Sequence, residues 1–281
     1  MGLFTRLSEL PLPLPHGASR GKGRGAAPDA LTFTLQGAGY RYEDGNVGLE
    51  PLDLTITQRR TAVIGLNGSG KSTLLGLLDG TLTPTRGRVV IADAADAART
   101  LDTSSKAKRD RAALDAWVGR VRREEIPESF HRAEDIAAAV DETLRRRGMG
   151  ETERLARIGS LFAHFDLQSV RRAKADELDS RRRHLLAIAA ALACSPAALI
   201  ADEPTKGLDE PATRDVARAL FTHETQLVFA THDTDMLLNP DYGVERVLVL
   251  DDHRLVHDAA PAEAVACYRS LIAERLRRPR A

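Results

Sequence analysis

Cysteine is scarce in this chain: only Cys194 and Cys267 occur. Thiols so few and so far apart build neither a disulfide framework nor a thiolate metal cluster. Both are expected to be reduced and buried, as suits a cytosolic protein. Long apolar runs are missing too. No stretch reaches the roughly 18 uninterrupted apolar residues that span a bilayer, and Leu185 to Ile200 is interrupted by Ser195-Pro196. The N-terminus does not read as a secretory signal, because Pro11-Leu12-Pro13-Leu14-Pro15 breaks any apolar core. Charge of one sign is also lacking. Lys plus Arg and Asp plus Glu both number 40, which removes the electrostatic argument for a nucleic-acid partner. What is present is a chain of 281 residues, 43% apolar, able to bury a large core in one large domain or two small ones.

The most informative stretch is Gly65-Leu66-Asn67-Gly68-Ser69-Gly70-Lys71-Ser72-Thr73, which fits the phosphate-binding pattern G-x-x-x-x-G-K-[ST]. The apolar run Thr61 to Ile64 precedes it and Leu74 to Leu78 follows, giving strand, loop and helix in the required order. The glycines allow a tight curl that points N–H groups at phosphates. The start of the helix adds partial positive charge. Lys71 supplies a full charge to the outer phosphates, and the hydroxyl of Ser72 is a magnesium ligand. These residues predict binding of a nucleoside triphosphate with Mg2+.

Residues 1–28, rich in Pro, Gly and Arg, are expected to form a disordered tail. Leu31 to Leu35 and Leu52 to Ile56 alternate as half-buried strands do. Between them lie Tyr40-Arg41-Tyr42 and the turn Glu43-Asp44-Gly45, so a tyrosine near the phosphate loop could stack on adenine. Arg88 to Ile91 predicts a strand. Residues 92 to about 116 are alanine- and charge-rich without a clear period, and are expected to be a surface insertion. Helical patterns then run over Ile136 to Arg147 and Glu151 to His164, within a helical subdomain of about 118–193.

Downstream, the apolar strand Ala197 to Ala201 ends on Asp202-Glu203. A buried strand delivering carboxylates to its C-terminal end is where doubly wound α/β proteins bind ligands. Asp202 can hold magnesium, and Glu203 is placed to polarise an attacking water. The next strand, Gln226 to Ala230, leads into Thr231-His232-Asp233, which puts His232 within reach of a terminal phosphate. Strands Arg246 to Leu250 and Arg254 to His257 and a helix from Pro261 to about Arg277 complete the domain of 29–275, with a basic end at 276–281.

A tyrosine, GLNGSGKST, a helical insert, LIADEPTKGLD and a histidine after the next strand together resemble the ATP-binding subunit of an ABC transporter, over residues 30 to 275. The resemblance implies an α/β P-loop NTPase with a mainly parallel sheet core, an N-terminal antiparallel β subdomain and a helical subdomain. It implies Tyr42 against adenine, and Gly65, Asn67, Gly68, Ser69, Gly70, Lys71, Ser72 and Thr73 as the Walker A loop. Asp202 becomes the Walker B aspartate, Glu203 the catalytic glutamate, Asp209 the D-loop aspartate and His232 the switch histidine. ATP and Mg2+ are then the ligands, ATP hydrolysis coupled to transport the activity. An integral membrane transport subunit and a second ABC ATPase subunit are the partners. The chain would sit in the cytoplasm, on the inner face of the membrane through that membrane partner. The end of the domain looks most like the energy-coupling-factor branch, which takes up vitamins and metal ions such as cobalt, nickel or biotin. Neither heptads nor an internal repeat support a non-transport ABC protein of DNA repair or translation.

The chain departs from the family in two places. The family's L-S-G-G-Q signature falls on Leu178-Asp179-Ser180-Arg181-Arg182. There a carboxylate replaces the serine, and arginines replace a glycine and the glutamine. About 5 Å from a γ-phosphate, at an effective dielectric of about 20, each unit of like charge on Asp179 costs roughly 3 kcal/mol. Arg181 or Arg182 could offset this, but their bulk keeps the backbone back. In the second, Val118 to Arg123 aligns with V-G-x-V-F-Q, placing Arg123 where a magnesium-facing glutamine is expected. Such a cation is expected to point elsewhere. An intact nucleotide loop beside a damaged partner surface predicts a heterodimer rather than a homodimer. The alternative is a regulatory ABC subunit with little turnover, against which Glu203 and His232 argue.

Overall fold

The computed structural model describes residues 28–277. The tail expected over 1–28 lies, but for Pro28, outside the described residues, as does the basic end beyond Arg277. Two sheets organise the chain. In the first, β1 (Leu31–Arg41) pairs antiparallel with β2 (Val47–Ile56) and with β4 (Arg86–Asp93), and β5 (Thr100–Asp102) extends its edge. Leu31, Phe33 and Leu35 of β1 are buried and alternate with partly exposed residues, as a sheet with one covered face requires.

The second sheet has six strands in the order β10-β9-β3-β8-β7-β6. They are β3 (Arg60–Gly65), β6 (Val118–Arg122), β7 (Ala198–Asp202), β8 (Gln226–Ala230), β9 (Arg246–Asp251) and β10 (Arg254–Ala259). All their pairings are parallel except the β9–β10 hairpin. These strands read as near-continuous apolar runs because both faces are covered. Ile64, Leu199, Phe229 and Val249 face one core. Val63, Ile200, Val228 and Leu248 face the other. The first core is closed by α4 (Ile136–Arg146), α5 (Glu151–His164), α6 (Ser180–Leu192), α7 (Glu210–Thr222) and α9 (Pro261–Arg277). The second is closed by α1 (Lys71–Leu78) and the antiparallel sheet. This is the mainly parallel P-loop architecture that the sequence predicts, with its antiparallel and helical parts.

Three expectations change. Residues 92–116 are no bare insertion, because they hold β5 and most of α2 (Lys108–Trp117). Only Leu114 and Trp117 of α2 are buried, too few to print a period on the sequence. Val118–Arg122 is an edge strand of the large sheet, so the helices of the insert begin after it, at α3 (Glu128–His131). Both cysteines are free but only partly buried. Cys267 stands beside the buried stripe Ala264, Val265 and Tyr268 of α9, not on it. The remaining helix, α8 (Thr234–Leu238), follows β8. No helix among the described residues is long and apolar enough to cross a membrane.

Gln226 ties the two sheets together. Its side chain accepts from Leu31 N at 2.9 Å and donates to Leu31 O at 3.0 Å, both in a buried setting, and to the partly buried Gln58 O at 3.1 Å. Removing the amide takes this partner from the Leu31 N–H and C=O, which water does not reach. Gln226→Leu is therefore expected to lower unfolding stability by roughly 2–4 kcal/mol, read as a reduced urea midpoint at an unchanged slope.

Candidate functional site

The parallel register assembles the site. Val63 of β3 stands opposite Ala230 of β8, and Ala230 stands opposite Asp202 of β7, which stands opposite Arg122 of β6. The residues just past this row, Gly65, His232, Glu203 and Arg123, therefore leave the sheet at one edge. A cleft of about 350 Å³ opens there. Its lining includes Tyr42, Asn67, Gly68, Gly70, Lys71, Ser72, Thr73, Asp202, Glu203 and His232. Of the residues predicted from sequence, Gly65, Ser69 and Asp209 lie outside the lining. Gly65 and Ser69 shape the loop from behind, and Asp209 caps α7 by accepting from Ala212 N at 2.9 Å.

The loop closes tightly at its glycines. A side chain on Gly65 would run into Leu250 O and Ser69 Oγ. At Gly70, φ is +101° and a Cβ would stand 2.7 Å from Gly48 O, so both conformation and space demand glycine. Helix α1 starts at Lys71 with no side-chain cap and no acid in its first turn. Its first N–H groups and dipole remain available to an anion. Lys71 is buried and donates from Nζ to Gly65 O at 2.8 Å and Leu66 O at 3.1 Å. Burial lowers its pKa, and Glu203 and Asp202 oppose that shift.

Glu203 sits at φ +53°, and its N–H donates to Ala230 O at 3.0 Å. Its Oε1 lies 2.7 Å from His232 Nε2. Burial pushes the Glu203 carboxyl up against the pull of Lys206 and Lys71. Burial, then the charges of Lys71 and Lys206, push His232 down. Asp202 Oδ1 is a buried atom with no hydrogen-bond partner among the described residues. A lone buried carboxylate oxygen is costly unless something binds it. With the exposed Ser72 hydroxyl on the same cleft, it makes an oxygen donor set that fits Mg2+. At the other end, Tyr42 is 44% exposed, so a ring face is open. Its hydroxyl meets Thr73 Oγ1 at 3.0 Å, and Tyr40 packs edge-on at 5.0 Å.

Sequence reasoning missed four lining residues, Gly48 of β2 and three with ionisable side chains. Arg123 lines the cleft instead of pointing elsewhere, and its charge acts on Glu203. The register places it one residue past the row, beside carboxylates that attract it, and its N–H donates to Asp202 O at 3.0 Å. Lys206 follows Glu203 by one turn, its N–H donating to Glu203 O at 3.1 Å. That spacing was a readable signal. His253, in the β9–β10 turn, arrives from far along the chain, its Nδ1 3.3 Å from Gly48 O, and nothing local announces it.

The signature-like segment lies at the start of α6. Asp179 Oδ1 accepts from Arg182 N at 2.8 Å, and Oδ2 pairs with Arg182 Nη1 at 2.9 Å. Arg181 pairs with Asp215 at 3.0 Å and Asp166 at 3.1 Å. The bare like charge considered from sequence is thus offset by Arg182. The same cap occupies a backbone donor at this helix start.

Comparison with known proteins agrees with this geometry. A family model described as ABC transporter matches residues 49–206. The biotin transport ATP-binding protein BioM of Rhizobium etli is 34% identical over 245 residues, covering 86% of this chain and 100% of that protein. The cobalt import ATP-binding protein CbiO of Rhodobacter capsulatus is 31% identical, covering 90% of this chain and 84% of that protein. In structure, the chain resembles CbiO1 of Clostridium perfringens, described as part of the ABC transporter complex CbiONQ. The TM-score is 0.69 at 24% identity, over 88% of this chain and 95% of that one.

The Glu203 carboxyl offers a direct check. A raised pKa means that it takes up a proton, as pH falls, before an ordinary glutamate does at about 4.3. Carboxyl-carbon NMR of the nucleotide-free protein is expected to show a Glu203 midpoint above that value, and Glu203→Gln should remove that titration alone.

Proposed function

The chain belongs to the ABC transporter family as one of its ATPase subunits, and on that premise we propose that it drives uptake of a small solute by pairing with a second, different ABC subunit. The observation that carries the catalytic part is the convergence of Lys71, Asp202, Glu203 and His232 on one cleft. Tyr42 offers its exposed face to adenine. The loop from Gly65 to Thr73 and the start of α1 hold the triphosphate. Ser72 and Asp202 would hold magnesium, which neutralises phosphate charge and orients the terminal group when bound. Glu203 takes a proton from water as its oxygen attacks the γ-phosphorus, and the bond to the bridging oxygen breaks to release ADP and phosphate. His232, 2.7 Å from Glu203, holds that carboxylate in place and stands ready to hydrogen-bond the terminal phosphate.

Pairing with an unlike subunit is supported by the start of α6. There the Arg182 N–H already serves Asp179, and Arg181 is engaged by Asp215 and Asp166. A nucleotide held by the opposite subunit would meet filled donors and bulky side chains instead of open backbone. Asp209, exposed at the start of α7, faces the same partner. The chain's own loop and acids lack these defects, so a partner with an open signature completes a hydrolytic site on them. Uptake is supported by the relatives named for biotin transport and cobalt import. On this reading the chain works in the cytoplasm, docked on a membrane subunit through its helical part, and the units run from a terminal tail at 1–28 into an ATPase domain of 29–275.

Glu203→Gln is expected to lower turnover by roughly 10²- to 10⁴-fold and to trap an ATP-bound dimer visible by size exclusion; unchanged turnover removes Glu203 from the mechanism. The chain alone should hydrolyse ATP slowly, and mixing with an ABC ATPase of intact signature should raise the rate by about tenfold or more. Fast turnover by the isolated chain, abolished by Asp179→Ala or Arg181→Ala, would overturn the unlike pairing.

A further inference from the structure

The charges at the far end of the cleft are unusual for a site meant to hold a divalent cation. Lys71, Lys206 and Arg123 line it together with Asp202 and Glu203. Lys71 belongs to the loop, and Lys206 belongs to the turn after β7. Arg123 directly follows the edge strand β6, the last in the sheet order, on the side away from β9 and β10. Its neighbours on that strand are committed to the scaffold: Arg120 donates to Asp79 O and pairs with Asp115, and Arg122 donates to Thr81 Oγ1. The arginines of the α6 start are paired as well. Arg123 is different. Its backbone is held at φ +50° with its N–H on Asp202 O, while among the described residues its guanidinium makes no hydrogen bond or salt bridge. A non-glycine residue at positive φ is uncommon and marks a side chain aimed by its surroundings.

Sheet order gives the direction of the nucleotide. Tyr42, Gly48 and His253 line the end of the cleft nearest β2 and the β9–β10 turn. Arg123 and Glu203 lie past β6 and β7, at the opposite end. With a base on Tyr42, the phosphate chain runs toward Arg123, and only its last phosphate extends that far. We propose that Arg123 binds the terminal phosphate of the nucleotide held by this same chain, and so makes the site favour a triphosphate over a diphosphate by direct charge contact. This rests on the nucleotide reading of the cleft. A guanidinium cannot ligate magnesium, but its planar N–H fork suits phosphate oxygens. The discrimination it supplies is therefore independent of the metal.

Calorimetry on the full chain tests this with ATP and ADP, each with Mg2+ and with chelator. Arg123→Ala is expected to weaken ATP by about tenfold or more and ADP by less than about twofold, in both metal conditions. Arg123→Gln should behave like alanine, and Arg123→Lys should recover much of the ATP affinity. An unchanged nucleotide-free melting temperature shows that each variant folds. Equal losses for ATP and ADP, no loss at all, or tighter ATP binding by Arg123→Gln would overturn the proposal. Lys71→Ala separates the two readings. If the parent chain binds neither nucleotide, or Lys71→Ala leaves both affinities intact, the cleft itself has been misread; if Lys71→Ala weakens both but Arg123→Ala keeps their ratio, only the role of Arg123 fails.

Discussion

The parallel hydrogen bonding of β3 to β8, β8 to β7 and β7 to β6 is the constraint on which the site depends. Its register lines up Val63, Ala230, Asp202 and Arg122, so the phosphate loop, His232, Glu203 and Arg123 emerge at one edge from four separate parts of the chain. A slip of one residue in any pairing would turn its side chains to the other core and carry its functional residue out of reach. Since both faces are filled with apolar side chains, such a slip is costly at every position at once. Core packing and site geometry are here a single requirement.

The cleft gathers opposite charges in partly dry surroundings, and each modifies its neighbours. Burial disfavours charge on Lys71, Glu203 and His232 alike, while Lys71 and Glu203 support one another's ionised forms. An anionic ligand carrying its own cation would enter a site already near electrical balance. At the start of α6 a comparable balance is reached by other means, with Asp179 and Arg182 neutralising each other within one turn. The outcome there is a closed surface instead of an open one.

Much of this was readable from sequence because its causes are local. The glycine spacing of the loop, the acid pair ending an apolar strand, and the period of α4 and α5 each follow from backbone preference or from which face is buried. The parts not readable are those set by distant partners. Helix α2 hid because two buried side chains leave no period. Arg123 was misjudged because it follows an edge strand, and its place beside Asp202 depends on the pairing of Arg122 with Asp202, eighty positions along the chain. Gln226 looked like an ordinary strand residue, since Leu31, its partner, is a long way off in sequence. Asp179 is legible as a helix cap from its place before α6, although the family motif sets its charge in the foreground.

The close approach of Gly70 to Gly48 has a consequence beyond fitting. The Gly48 carbonyl occupies the space where Gly70 would carry a side chain, and a side chain on Gly48 would meet Tyr42, Thr73 and Tyr40. Drift at Gly70 has no compensating change at Gly48, because the obstacle is a backbone oxygen that every residue carries, while a larger residue at Gly48 runs into Tyr42 and Tyr40. Each position is thus held to glycine by its own neighbours, and the fit of the antiparallel sheet to the phosphate loop is kept over evolutionary time as well as in a single molecule.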